Sequence, residues 1–416
     1  GVVIAIAAVL AFRQTTRTFS ALEMHGGPIV TTASVNGEII ALTSHWESRR
    51  FISSSDVTTT IITTLHWDLW SFSTADLSRK WVTRLASLRK GERRLDSGIL
   101  GVNNGVVWLL ADQLLAVSAG DGHVIGDVAA IEAKNPFLRG AMPASRDQLI
   151  FDRGLIVVAA DGRRWRINDT TLAATLFTIG STDAPAQNSI TYKPLPLSTQ
   201  FESYKARGYV VDDRWYGLMD PSEVQKLKRE MIEQDFRDAL RYTFWSAPMR
   251  DSVDRFGQAF RRPTDFAPIK GSPEFLLGGL LASRDSIYQQ HVIGIANPTR
   301  FIVAHQDRLD ARAQQQLTCI DLEGRVCWDA ILGASRVTGF TTLAAGNAEN
   351  WALLMIGEQP VPAERMEAAG ETDPNRDNDV VFVRIKIADG SVKRMSFGDV
   401  DLEKVSDEVK PWRFVK

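Results

Sequence analysis

Two cysteines, six histidines and a scatter of carboxylates are the residues of this 416-residue chain with chemistry to offer, and their spacing limits what that chemistry is. Cys319 and Cys327 stand in the stretch LTCIDLEGRVCWDA, residues 317–330. A structural metal almost always takes four ligands, and no histidine lies near these two in a paired spacing, so a metal role is unsupported. Seven residues between the thiols is not a redox spacing either. A disulfide stays open. If Leu322, Glu323 and Gly324 form the loop of a hairpin, Asp321 closes against Arg325 and Cys319 faces Cys327 across the ladder. Cross-strand β-carbons lie about 4.5–5.5 Å apart, against about 3.8 Å in a disulfide, so the bond needs slight puckering. The alternative is two structural thiols, with Cys319 acting as a small buried hydrophobe.

The segment HWESRRFISSSDVTTTIITTLHWD, residues 45–68, carries His-Trp at both ends. His45, Glu47, His66 and Asp68 would converge on a metal if a hairpin paired those ends. Such dipeptide spacings recur by chance and no third element joins them, so a long hairpin extending one sheet is the stronger reading. His305 and Asp307 read as an exposed loop after a strand, and His25 has no evident partner. There is no Gly-x-Ser-x-Gly, no glycine-rich phosphate loop and no His-Glu-x-x-His, so no catalytic residue, metal ligand or cofactor is assigned.

The elements that must hold these residues are repeats. Leu69–Val82 reads LWSFSTADLSRKWV, Leu114–Asp127 LLAVSAGDGHVIGD, Leu155–Ile167 LIVVAADGRRWRI and Phe382–Met395 FVRIKIADGSVKRM. Each is an alternating apolar strand, a turn on Asp-Gly or a variant of it, and a second short strand. Alternation marks a half-buried strand, and Asp-Gly supplies a positive-φ turn position at little cost. Six and four residues before the turn acid stand Trp70 and Phe72, Leu115 and Val117, Leu155 and Val157, Val383 and Ile385. In the cysteine stretch, with Glu323 as turn acid, Leu317 and Cys319 take those places and are expected in the core.

Asp76, Asp121 and Asp161 follow one another at 45 and 40 residues, the period of a four-stranded propeller blade. Candidate inner strands precede the hairpins at residues 29–43, 102–111, 301–305 and 351–357. The expected fold is all-β: a β-propeller of about seven four-stranded blades, within a range of six to eight, carrying a helical insertion. Closure is expected through a strand within residues 29–43 sharing a blade with residues 409–414, because a closed ring removes sheet edges.

The hairpins resemble the repeat of quinoprotein-like (PQQ-repeat, WD40-like) β-propellers, in which an apolar strand, an Asp/Gly-Gly turn and a strand ending in Trp recur. Trp81, Trp165 and Trp328 match that tryptophan. The resemblance covers five hairpins between residues 29 and 397. The quinone-dependent dehydrogenases of that fold carry a vicinal disulfide and a calcium site, and this chain has no Cys-Cys. The resemblance therefore implies the non-enzymatic bacterial envelope propellers that act as scaffolds.

Bulk properties agree. With 44% hydrophobic and 24% charged residues the chain can bury a large core, and its eleven tryptophans are spread along it as a repeated packing position would spread them. A net charge of −2 with both signs intermixed offers no phosphate footprint, so nucleic acid is not an expected partner.

Residues 1–12, GVVIAIAAVLAF, are an unbroken apolar run. They read as the h-region of a signal peptide ending at Val9-Leu10-Ala11, as the end of a membrane anchor followed by Arg13 and Arg17, or as a buried first strand. Export, free or tethered, is the expectation: residues 1–20 a signal or anchor remnant, residues 21–416 the propeller, facing the periplasm, with membrane contact only through the apolar run.

Two insertions, 45–68 and 220–262, interrupt the propeller. In the second, Asp220 caps a helix with Pro221 at its first position and Glu223 in its first turn, and Val224, Leu227, Met231, Phe236 and Leu240 form one face. A second short helix is expected over residues 251–260. Residues 366–379 read as a loop. Trp46, Arg49, Arg50, Arg241 and Trp245 are the expected binding residues on exposed insertion rims, because Arg and Trp dominate binding hot spots. The expected function is binding or scaffolding in the cell envelope, with another envelope protein as partner. The alternative is a propeller enzyme, a quinone-dependent dehydrogenase or a hydrolase, working at the central channel.

Overall fold

The computed structural model describes residues 12–31, 37–53, 59–89, 97–143, 145–178, 192–195, 205–228, 240–281, 300–310, 313–343, 351–361, 378–409 and 412. The chain is nearly all-β and divides into two compact units. Unit 1 comprises residues 1–196, 361–379 and 396–416, and unit 2 comprises residues 197–360 and 380–395.

Unit 1 opens with β1 (Phe12–Phe19), β2 (Glu23–Met24), β3 (Ile29–Thr31), β4 (Glu38–Ser53), β5 (Thr59–Ser73) and β6 (Arg79–Arg89). They form one sheet, and β1 and β2 both pair with β4. Its next sheet is β7 (Gly98–Asn103), β8 (Val106–Ala111), β9 (Gln113–Ser118) and β10 (Val124–Asp127), followed by helix α1 (Val128–Lys134). A third has β11 (Leu149–Phe151), β12 (Leu155–Val158), β13 (Arg164–Ile167) and β14 (Ala174–Leu176). Strand β15 (Tyr192–Pro194) then returns to β3.

Unit 2 begins with β16 (Lys205–Ala206), β17 (Gly208–Val211), β18 (Arg214–Met219) and helix α2 (Pro221–Lys228). Then come β19 (Arg241–Val253), β20 (Ala259–Pro263), β21 (Ala267–Pro268), β22 (Phe275–Leu281), β23 (Arg300–Gln306), β24 (Gln315–Asp321) and β25 (Val326–Ile331), which with β16–β18 make one large sheet. A four-stranded sheet of β26 (Arg336–Leu343), β27 (Ala352–Pro360), β28 (Asn378–Lys386) and β29 (Val392–Ser396) follows. Helix α3 (Leu402–Glu408) belongs to unit 1. Several four-stranded antiparallel sheets in a nearly all-β chain are what propeller blades require.

All five expected hairpins are present, as β5–β6, β9–β10, β12–β13, β24–β25 and β28–β29. Their turns share one device. The carboxylates of Asp76, Asp121, Asp161 and Asp389 accept the backbone N–H two residues on, at 3.0, 3.1, 3.0 and 2.9 Å. The residue after each turn acid has positive φ, from 63° at Leu77 to 81° at Gly162. The paired positions before the acids, including Leu317 and Cys319, are all buried.

The repeat also explains its tryptophans. Trp81, on β6, donates its indole N–H to the carbonyl of Ala119 at 3.1 Å, and a methyl group built on Gly122 would lie 2.6 Å from its ring. Trp328, on β25, does the same to Ile387 at 2.8 Å and to Gly390 at 2.6 Å. Within each unit, then, the last strand of one sheet docks an indole flat on the turn of the next. Glycine is required there twice over, by its φ and by the ring on top of it.

The structure corrects expectations at three elements. The cysteine hairpin closes as expected, with Asp321 N–H donating to Arg325 at 3.0 Å. A register shift then sets Cys319 opposite Trp328, so Cys327 does not face Cys319 across the ladder. Cys319 is buried, Cys327 is exposed, and both are free thiols. Docking of the Trp328 indole accounts for the slip, because the ring must stay on the buried face. The second correction concerns residues 251–260. They are the end of β19, a turn and the start of β20, since Asp254 and Gly257 (φ 78°) build a tight turn where a helix would need continuity. The third is His305, which stands half-buried within β23 rather than in an exposed loop.

Helix α2 begins as expected. Asp220 Oδ1 accepts the Glu223 N–H at 2.9 Å, and Glu223 reaches back to the Asp220 N–H at 3.0 Å. Met231 and Phe236 lie outside the described residues, as do residues 1–11, most of 366–379 and most of the expected closing strand 409–414.

Candidate functional site

The alternation along β4 and β5 builds two unlike faces. Leu42, Leu65, Trp67 and Leu69 face one way and pack with Val107, Leu109, Leu115 and Val117 of the next sheet. Residues of the opposite parity pair across the ladder as Thr43 with Asp68, His45 with His66, and Glu47 with Thr64. Strand β6 adds Arg84 opposite Asp68 and Ser87 opposite His66, and the bulge between them keeps both on that face. The polar face is buried nonetheless: Thr43, His45, Glu47, His66, Asp68, Arg84 and Ser87 are each at most 6% exposed.

Burial is tolerated because nearly every polar group is matched. Arg84 holds Asp68 with Nε at 2.9 Å and Nη2 at 3.3 Å. Glu47 accepts from Arg17, from Arg49 Nε at 2.6 Å and from His66 Nε2 at 2.8 Å. The other nitrogen of His66 meets Ser87 Oγ at 2.8 Å. Helix α3 brings Ser406, whose hydroxyl accepts from Arg84 at 3.0 Å and donates to Glu47 at 3.3 Å, and Asp407, which accepts from Arg17 at 2.6 Å. Val405 of α3 is buried, and Phe397, just before it, packs edge-on to Trp70 and Phe72.

Burial alone would raise the Glu47 carboxyl, but His66, Arg49 and Arg17 outweigh it and hold it well below the usual carboxylate range. His45 is the exception in this network. Its Nδ1 lies 3.3 Å from Asp68 Oδ2 but off the hydrogen-bonding line, and neither ring nitrogen has a hydrogen-bond partner among the described residues. Burial pushes its pKa down to about 4, against the pull of Asp68, so the ring is neutral at pH 7.

Ser87, His66 and Glu47 stand in line as hydroxyl, imidazole and carboxylate, the order of a nucleophile and its base. Ser87 is 4% exposed and Glu47 is taken up by two arginines, so the line orders the sheet face rather than presenting an attacking oxygen. Among the described residues no group of three or more His, Cys, Asp or Glu is arranged to hold a metal ion. The carboxylates of Glu47 and Asp68 are bonded to guanidinium groups and His66 to Glu47 and Ser87, so three of the four residues His45, Glu47, His66 and Asp68 are already engaged. His25 finds partners in Ser44 at 2.7 Å and Ser97 at 3.2 Å. His305 Nε2 meets Thr318 at 2.8 Å, and burial lowers its pKa.

The expected binding residues fall in both units. Arg49 and Arg50 are exposed on the outer half of the β4–β5 hairpin, but Trp46 is half-buried against the apolar cluster. Arg241 starts β19, exposed and 3.5 Å from Glu274. Trp245 is 5% exposed, its N–H on Thr243 at 2.7 Å. The exposure expected of the two tryptophans is therefore corrected: they pack, because a ring on a central strand row faces the core. Exposed apolar groups include Ile61 and Ile62 toward the outer end of β5, and Val253, Phe256 and Phe260 at the β19–β20 turn. Sequence reasoning missed Arg84 and Ser406 because their partners are set by tertiary folding; Ser406 and Glu47 are 359 positions apart.

No protein-family model matches the chain, and no curated protein matches it. Among solved structures, BamB from Moraxella catarrhalis is matched over 92% of this chain and 97% of that one, at 11% identity and a TM-score of 0.17. A likeness of that size carries no functional argument. No helix of the described residues is long and apolar enough to cross a membrane.

Proposed function

We propose that the protein is an envelope scaffold, exported or membrane-tethered, whose propeller-like sheets present a hairpin to another envelope protein. The observation that supports this reading is the β19–β20 hairpin, within the segment 220–262 that breaks the sequence repeat. Val253, Phe256 and Phe260 are 65, 74 and 42% exposed there. The turn is built to hold them: Asp254 Oδ1 accepts the N–H groups of both Phe256 and Gln258 at 2.8 Å, and Asp254 N–H donates to the Gln258 carbonyl at 3.0 Å. Arg255 lies over the Phe256 ring at 4.7 Å. An aromatic anchor on a pre-ordered turn loses little conformational entropy on binding, which is how a small surface gains affinity.

The test is capture from an envelope fraction with the tagged full chain. Phe256→Ser/Phe260→Ser should retain its melting temperature, since both rings face solvent, and should lose the partner retained by the wild type. Retention of the same partner by the double variant would place recognition elsewhere.

A further inference from the structure

We propose that the outer end of the β4–β5 hairpin seats on an anionic lipid surface, with Ile61 and Ile62 entering the interface and Arg49 and Arg50 binding lipid phosphates; the inference rests on the envelope reading above. Two observations carry it, one of topology and one of charge.

The topology concerns where the chain enters the sheet. Strand β1 runs antiparallel to β4, with Phe12 opposite Ser53 and Phe19 opposite Glu47. The chain therefore arrives at the hairpin's outer end. The eleven residues that precede Phe12, GVVIAIAAVLA, contain no polar side chain. At about 3.3 Å per residue, the Phe12–Ser53 row lies about 10 Å beyond the row of Arg50 and Ile61. Amphipathic segments bury their apolar groups about 5–10 Å into the headgroup boundary. Apolar residues in lipid ahead of Phe12 thus bring Ile61 and Ile62 to interfacial depth.

The charge has the matching sign. Arg49 pairs across the ladder with Ile62, and Arg50 with Ile61, so each face of the hairpin carries one cation and one isoleucine. Both arginines are exposed, and the isoleucines are 63% and 43% exposed. Residues 12–18 and 48–64 hold arginines at 13, 17, 49 and 50 against one acid, Asp56, which lies outside the described residues; Arg17 is taken up by Glu47 and Asp407, so Arg49 and Arg50 are the exposed cations. Glu47 itself is buried and bonded to Arg17, Arg49 and His66. Arginine suits phosphate because its planar fork binds two oxygens at once. A protein surface of opposite charge is the competing occupant, and the lipid is favoured because the apolar run leads into this same end of the hairpin.

The experiment is vesicle co-sedimentation of the full chain with phosphatidylcholine alone and with about 30% phosphatidylglycerol, at low and high salt. At about fivefold per arginine near the surface, the two arginines should make wild type prefer anionic vesicles by at least about tenfold at low salt, and lose that preference at high salt. Arg50→Glu, and more fully Arg49→Glu/Arg50→Glu, should abolish the preference while leaving binding to neutral vesicles through residues 1–11. Ile61→Ser/Ile62→Ser should weaken binding to both vesicle types severalfold. Equal binding of wild type to both compositions, or a preference unmoved by Arg50→Glu, overturns the lipid contact and leaves the tether standing. Binding to neither vesicle overturns the contact and the tethered form of the envelope reading together, while the Phe256 and Phe260 test remains independent of both.

Discussion

At the scale of single residues, the buried polar face of the first sheet sets the energetics. Asp68 and Arg84 are at most 2% exposed and face one another in a two-point contact. Removing one member leaves an uncompensated buried charge. Asp68→Ala should therefore cost about 3–5 kcal/mol, measured by urea unfolding. His45 makes the pH dependence. Its folded pKa of about 4 lies below the ordinary 6.5. Between those values the unfolded chain takes up a proton that the folded chain refuses, so this contribution is full above about pH 6.5 and is lost as the pH falls toward 4. The loss reaches up to about 3 kcal/mol at pH 4. His45→Phe keeps a ring between Phe19 and His66 and should flatten the stability profile across that window. An unchanged slope would mean that another group titrates there. The thiols differ in the same way. Burial, with Cys327 nearby, pushes the Cys319 thiol up to about 12, whereas Cys327 is exposed. A maleimide should label one thiol in the native protein and two in the denatured one.

At the scale of elements, α3 closes the polar face. Its Val405 is buried, and Ser406 joins Arg84 to Glu47, so the helix is held by chemistry that the sheet cannot satisfy alone. Truncation after Asp401 should lower the melting temperature by about 5 °C or more in a scanning-calorimetry trace. The closing strand expected over residues 409–414 lies mostly outside the described residues. Residues 45–68 are built into the first sheet through β4 and β5. His45, Leu65, Trp67 and Asp68 are central sheet positions, and only the outer rows are exposed.

At the scale of the molecule, the indole contacts join successive sheets within each unit. Gly122 and Gly162 each follow a turn acid, with φ of 74° and 81°. A methyl group on Gly122 would meet the Trp81 ring at 2.6 Å, while nothing lies within 4 Å of one on Gly162. Both substitutions to Ala carry the backbone cost of a positive φ, about 1 kcal/mol. Gly122→Ala should cost about 1–3 kcal/mol more than Gly162→Ala, because the Trp81 ring and the Thr83 hydroxyl, 2.5 Å from the added methyl, must both move. Equal costs in denaturant unfolding would show that the close packing of Trp81 and Thr83 on this turn carries no stability of its own.

The sequence by itself determined the local grammar of this protein. Alternating apolar residues before an Asp-Gly turn dictate a hairpin with a known inward face, because side chains on a strand alternate and an Asp carboxylate satisfies the turn N–H two residues on. Those signals are local, and Trp70, Val117, Val157 and Ile385 are buried as the pattern requires. Tertiary structure decided the rest. The register at Cys327 follows from where Trp328 docks, on a turn about 60 residues away. The partners of Glu47 come from β1, β4, β5 and α3, which no spacing along the chain brings together. Residues 251–260 have enough apolar groups at three- and four-residue spacing to suggest a helix, and a strand results because β19 is already paired through the sheet and carries its partner onward. Periodicity fixes which face of a segment is apolar, but ion pairs, bulges and edge contacts depend on what the folded chain brings against that face.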